Sequence, residues 1–164
     1  MTVLEGWELT PDRMERFDKL MAEYDIGDPI LISKCKLAKR HGLLVVSDKG
    51  FAWRFKMSFG SANIWRATSG KSKWIRWYDV ARIIPEKPRK GKIKIEMYKR
   101  KGDGTLKMRW GKPKVFRWRA IVQRNRGEGK KHFKARRKDF YRLMNDIYER
   151  NKVEQPPPYS DSTM

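Results

Sequence analysis

The chain has 164 residues, 40 Lys+Arg against 19 Asp+Glu and a formal net charge of +21, with 12% aromatic residues including seven Trp. That length predicts one compact domain plus tails, and so many aromatics exclude a wholly disordered basic chain. Apolar runs of only a few residues, such as Leu43-Leu44-Val45-Val46, exclude a membrane-spanning helix. Met1 to Gly6 hold an acid and no basic start, so a secretory leader is not expected and a cytoplasmic placement is. Charge is unevenly spread. Residues 1–30 carry three bases against eight acids, residues 152–164 one against two, and residues 31–151 the remaining 36 against nine, or +27. A central domain this positive attracts polyanions, because solubility alone needs roughly 2–8 net charges. Three segments follow: an acidic helical one over 1–29, a basic β domain with a closing helix over 30–151, and a flexible Pro-rich tail over 152–164.

The first element is a helix with Thr10 as N-cap, Pro11 in its first turn and Leu9 and Met14 as a hydrophobic staple. Met14, Phe17, Leu20, Met21 and Tyr24 share one face, and Gly27 and Pro29 stop it. Its acidic face either lies against the basic domain or is solvated, the second being the plainer expectation. From Ile30 to about Arg124 the period is two. Phe51, Trp53, Phe55 and Met57 alternate with Arg54 and Lys56, and Ile93, Ile95 and Met97 with Lys92, Lys94 and Glu96. Leu106, Met108 and Trp110 alternate with Lys107 and Arg109, and Phe116 and Trp118 with Arg117 and Arg119. Ile30–Leu37, Leu43–Ser47, Trp74–Trp77 and Val80–Ile84 complete a set of half-buried strands. Ser47-Asp48-Lys49-Gly50 and Lys101-Gly102-Asp103-Gly104 read as hairpin turns, and Pro85, Pro88 and Gly91 as a basic loop. A second helix runs from about Lys131 to Asn151. Its apolar stripe is Phe133, Phe140, Leu143, Met144 and Ile147, with Arg136, Arg137, Lys138 and Arg142 between. The fold class is therefore α+β, mainly β: a small antiparallel barrel or sandwich of about seven strands, a C-terminal amphipathic capping helix and an extra N-terminal helix.

Such a meander closed by one helix resembles the pleckstrin-homology (PH-like) superfamily, including its GRAM branch. Gly42-Leu43-Leu44-Val45-Val46-Ser47-Asp48-Lys49-Gly50 is similar to the GRAM-type hairpin, and Trp77-Tyr78-Asp79-Val80-Ala81-Arg82-Ile83 to the family's Asp-hydrophobic step. The resemblance covers Ile30 to Asn151. It implies phosphoinositide binding by a Lys in the first hairpin loop and spaced bases on the next strand, here Lys49, Arg54 and Lys56. Other members of the superfamily bind proteins.

Each pair Arg54/Lys56, Lys92/Lys94, Lys107/Arg109 and Arg117/Arg119 sits two residues apart and so on one side of its strand. Together with Lys49 they predict a cationic sheet face for anionic lipid headgroups, with Glu96 the one acid among these positions; an ordinary polar exterior is the bland alternative. Four engaged cations give approximately 4 kcal/mol at a membrane surface. Nucleic acid would be held by the same residues in a salt-sensitive way, and an acidic protein is the third candidate partner. Trp65 is the candidate for an exposed stacking or interfacial aromatic, with Trp74, Trp77, Tyr78 and Tyr98 behind it and more simply core. Gly70-Lys71-Ser72 lacks the upstream Gly and the following helix of a phosphate-binding loop. His41 and His132 have no metal-ligand spacing, and the nine central acids show no paired carboxylates, so no catalytic, metal or cofactor site is expected. Cys35 is either activated by Lys34 and Lys36 or a small buried hydrophobe, the latter being commoner. In the tail, Pro156, Pro157 and Tyr159 fit the Pro-Pro-x-Tyr pattern read by WW domains, or belong to an inert tail.

Overall fold

The computed structural model describes residues 3–9, 14–55 and 72–159. The helix-capping residues Thr10, Pro11 and Asp12, the strand end at Lys56 and Met57, Trp65 and Gly70-Lys71 lie outside them. Helix α1 (Met14–Glu23) precedes strands β1 (Leu31–Leu37), β2 (Arg40–Val46), β3 (Gly50–Phe55) and β4 (Ser72–Arg76). A 3-10 turn, Trp77–Asp79, leads into β5 (Val80–Lys87), and a second, Pro88–Lys90, into β6 (Lys92–Tyr98). The short strands β7 (Met108–Arg109) and β8 (Lys112–Pro113), then β9 (Val115–Val122) and helix α2 (Lys130–Asn151), complete the chain.

The main sheet has seven strands in the order β4-β3-β2-β1-β9-β6-β5, all neighbours antiparallel. Its two edge strands, β4 and β5, are consecutive in the chain and separated by only three residues. Three residues reach about 10 Å, so the sheet must roll until its edges meet at that corner. The alternation predicted the result: a mainly β, α+β architecture with a seven-stranded antiparallel sheet, a short N-terminal helix and a long C-terminal one.

Two apolar clusters, one per face, hold the sheet. On the concave face, Phe140, Met144, Ile147 and Tyr148 of α2 pack with Trp7, Leu31, Phe51, Trp53, Trp77, Ile93 and Ile95. On the convex face, Leu20 of α1 and Ile26 pack with Ile32, Leu43, Val45, Ala52 and Trp74. Among the described residues the second layer covers only the β1 to β4 half. That is why Leu43 to Val46 are buried without alternation, as in any strand covered on both faces. No other described element covers the convex face of the β5-β6-β9 half, and β9 shows clean alternation.

Local bonds fix the corner and the first hairpin. Trp77 Nε1 donates to the Ser47 carbonyl (2.9 Å) and the Ser47 hydroxyl to the Ile26 carbonyl (2.6 Å). A Cβ on Gly50 would stand 2.0 Å from the Ile75 carbonyl oxygen, so only glycine lets β3 and β4 close here.

Three expectations are corrected. The residues Leu106–Trp110 do not form a sheet strand with Met108 and Trp110 inside. They belong to a separate β7-β8 hairpin on which Met108 (52% exposed) and Trp110 (92%) face solvent. Arg136 is not on the solvated side of α2 but 3% exposed. The tail, as far as Tyr159, is not free: Thr105 and Tyr159 form a β-bridge and the Arg100 guanidinium donates to the Pro157 carbonyl at 2.8 Å.

Candidate functional site: a tryptophan-tipped cationic hairpin

The cations singled out in the sequence fall into three groups. Lys49 and Arg54 lie on the half beneath α1 and are already paired. Lys49 Nζ is 2.9 Å from Asp25, and Arg54, 6% exposed, bonds Glu23 (3.1 Å) and the Ser72 hydroxyl (2.7 Å). Asp25 sits below its ordinary carboxylate range because Lys49 donates to it. The acidic first segment thus lies against the basic domain instead of being wholly solvated. It occupies two of the three cations that the PH-like resemblance marks for a headgroup.

Lys92, Lys94, Arg117 and Arg119 do share one face. The register places Lys94 opposite Arg119 and Glu96 opposite Arg117, which puts all four on the convex surface of β6 and β9. This surface also holds two acids. Glu96 bridges Arg82 (3.4 Å) and Arg117 (2.8 Å), and Glu86 accepts from two of the Arg119 guanidinium nitrogens, Nε and Nη2, each at 2.7 Å. Hydrogen bonds from Arg119 hold the Glu86 carboxyl below its ordinary range, with Lys94 and Lys92 adding. The pattern that ends β5 at Ile84 leaves Glu86 out of the sheet; the strand continues to Lys87, next to β6, and from there the Glu86 carboxylate reaches across β6 to Arg119 on β9. The face is therefore positive but mixed.

Lys107 and Arg109 belong to the third group, on the hairpin that leaves the end of the β6-β9 ladder. Trp110 (φ 55°) and Gly111 (φ 77°) are both left-handed, which defines a two-residue type I′ turn. Asn or Asp is the usual occupant of that first position; a bulky aromatic there is strained by about 1–2 kcal/mol. Strain of this kind, kept at an exposed tip, points to use outside the fold. The guanidinium of Arg109 lies 5.8 Å from the Trp110 ring centre. Arg109, Trp110, Pro113, Lys114 and Val115 line a shallow cleft of about 470 Å³. At the hairpin's base, Arg100 holds the arm to the sheet corner through Asp79 (2.6 Å) and to its own turn through the Gly104 carbonyl (2.9 Å). Asp79, part of the Asp-hydrophobic step, is buried, so this anchor is a charge pair shielded from water.

Among the described tryptophans Trp110 alone is exposed; Trp7, Trp53, Trp74 and Trp77 are buried and Trp118 is half-buried. Tyr78 lies under the Arg76 guanidinium at 5.6 Å. Burial pushes the Cys35 thiol up to about 12, which leaves it a core side chain. Neither histidine stands alone: His41 bonds Gln123 (2.7 Å) and His132 bonds Glu128.

A buried ionic cluster had gone unforeseen. Arg136 donates two bonds to Glu128 (2.8 and 2.9 Å), one to the Ser33 hydroxyl and one to the Gln123 carbonyl, with its guanidinium 4.9 Å from the Trp7 ring centre. Burial raises the Glu128 pKa, but the bonds from Arg136 and from the Asn125 N–H outweigh it and bring the carboxyl down to about 2. The spacing 133, 136, 140, 144, 147 places Arg136 on the buried stripe, and that was the available signal.

Among the described residues no helix is long and apolar enough to cross a membrane, and no three His, Cys, Asp or Glu gather as a metal site would. Compared with known proteins, the chain matches no family model and no curated protein.

Proposed function

We propose that this protein is a non-enzymatic binding module that adheres to anionic membrane surfaces through the β7-β8 hairpin, with the convex face of β6 and β9 as a secondary contact. The observation that carries this reading is Trp110, 92% exposed on a strained turn and flanked by Arg109 and Lys112, with Lys99, Lys107 and Lys114 at the arm's base. Indole rings favour the headgroup layer, and lysine stems let the charge reach lipid phosphates while the tip inserts. Five such cations supply about 5 kcal/mol on an anionic leaflet, a submillimolar affinity before the tryptophan is counted. The PH-like kinship belongs to the same proposal. It is supported by the strand order and the closing helix, although the binding surface moves away from Lys49 and Arg54.

The runner-up is single-stranded nucleic acid, with the Trp110 ring stacking on a base. Met108 and Val115 favour the membrane: both are exposed beside Trp110 and apolar, and a base-and-phosphate groove has no use for them. A WW-type partner for the tail is a separate proposal, supported by the exposed Tyr159 ring (67%).

Co-sedimentation with zwitterionic vesicles, and with the same vesicles carrying anionic lipid, tests the main reading. Pelleting only with the anionic set, reduced about tenfold or more in Trp110→Ala, is the expected result. Equal pelleting with both sets, or an unaffected Trp110→Ala variant, defeats it.

A further inference from the structure

Lys99, Lys107 and Lys114 meet at one ring of backbone hydrogen bonds. The Lys99 N–H donates to the Lys114 carbonyl (2.7 Å), the Lys107 N–H to the Lys99 carbonyl (2.8 Å) and the Lys114 N–H to the Lys107 carbonyl (2.7 Å). Three flexible cations are thereby rooted together on a junction that the Asp79–Arg100 pair keeps in place. Among the described residues none of the three has an acidic partner within salt-bridge distance. This contrasts with Arg82, Arg117 and Arg119, each of which has a carboxylate. The crowding is felt: the charges of Lys99 and then Lys107 hold the Lys114 ammonium below the ordinary lysine range, and Arg109 adds to this. Like charges gathered without an acid raise the energy of the free protein, and a multivalent anion relieves it. One carboxylate or one phosphodiester neutralises only one ammonium. Three ammoniums, each with three donors, suit several phosphate oxygens at once.

We infer that Lys99, Lys107 and Lys114, with Arg109 at the rim of the adjoining cleft, form a recognition site for a ligand carrying two or more closely spaced phosphate groups. Such a ligand is supplied by a multiply phosphorylated lipid headgroup, in which case the inference rests on the membrane reading, or by a free polyphosphate. The Trp110 ring beside the cleft either enters the lipid or covers the bound ligand, according to the source.

Two vesicle sets of equal surface charge, one made with phosphatidylserine and the other with a bisphosphorylated inositol lipid, separate this site from general adhesion. Inorganic pyrophosphate, titrated against tryptophan fluorescence, tests the soluble source. Wild type should bind the bisphosphorylated vesicles about tenfold more tightly than the phosphatidylserine set. Lys99→Ala/Lys114→Ala should lose that preference, and the charge-matched control Lys130→Ala/Lys131→Ala, on exposed lysines at the start of α2, should keep it, with thermal melts confirming that both fold. Equal binding to the two vesicle sets, or an equal fall in both double variants, overturns the site and leaves only general adhesion. Pyrophosphate binding without any vesicle binding defeats the membrane reading and supports the site with a soluble ligand. Neither pyrophosphate nor vesicle binding defeats both.

Discussion

The two halves of the sheet begin from the same pattern and end differently. In β3, Arg54 stands between Trp53 and Phe55; in β9, Arg117 and Arg119 stand around Trp118. On the β1 to β4 half the acidic segment lands on the convex face, so Arg54 is buried and bound to Glu23. Among the described residues the β5-β6-β9 half receives no such layer, and its arginines stay half-exposed over Glu86 and Glu96. Alternation states which side of a strand a residue is on, but not what will cover that side. A cation's availability is decided by the second layer.

The joint between the halves should be the most sensitive point. Arg136 reaches Ser33 on β1, the Gln123 carbonyl just past β9, and Glu128 ahead of α2. Arg136→Ala leaves Glu128 buried without its counter-charge and is expected to lower stability by about 3–5 kcal/mol, read by chemical denaturation. The same cluster sets an acid limb. Because the Glu128 pKa is brought down from 4.5 to about 2 on folding, its contribution is complete above pH 4.5 and is lost as pH falls towards 2. A melting temperature that falls through that window in wild type, and less steeply in Glu128→Gln, bears this out; parallel curves refute it.

The comparison itself is broken or upheld by matched arginine removals. Arg54→Ala should cost about 1–3 kcal/mol, since it removes charge-assisted bonds from a buried position. Arg119→Ala should cost less than about 1 kcal/mol, because an exposed pair gains little and rehydrates freely. Similar losses at both sites would mean that coverage by α1 does not distinguish the halves. Vesicle binding should follow the reverse order, with Arg119→Ala weakening it and a folded Arg54→Ala leaving it unchanged.

The fold was legible because period two and period 3.6 are local properties. The strands around Phe51, Ile93 and Phe116, the turn at Lys101–Gly104 and the helix ending at Asn151 all lie where the pattern places them. The site was only half legible. The spacing marks Lys107 and Arg109, but Leu106, Met108 and Trp110 alternate like a buried face, a pattern that turns Trp110 inward. The counter-signal was Trp110-Gly111 followed by Lys112-Pro113, where a glycine flanked by short alternating runs marks a two-residue turn. The pairings of Arg54 with Glu23 and of Arg119 with Glu86 span 31 and 33 residues, and no local period encodes them.

The smallest expected effect separates a tip shaped for binding from one shaped for folding. At φ 55° the Trp110 backbone is strained by about 1–2 kcal/mol, and glycine removes that strain. Glycine also raises unfolded-chain entropy, which offsets about 0.5–1 kcal/mol. Trp110→Gly should therefore stabilise the protein by about 0.5–1 kcal/mol, because a ring 92% exposed gives up almost no packing. The same substitution should weaken retention on anionic vesicles by about tenfold or more, as Trp110→Ala does. A gain in stability joined to a loss of binding would mean that the indole is held at the turn against the fold's own preference. A loss of stability would show instead that the ring supports the hairpin, and Trp110 would no longer mark a binding surface.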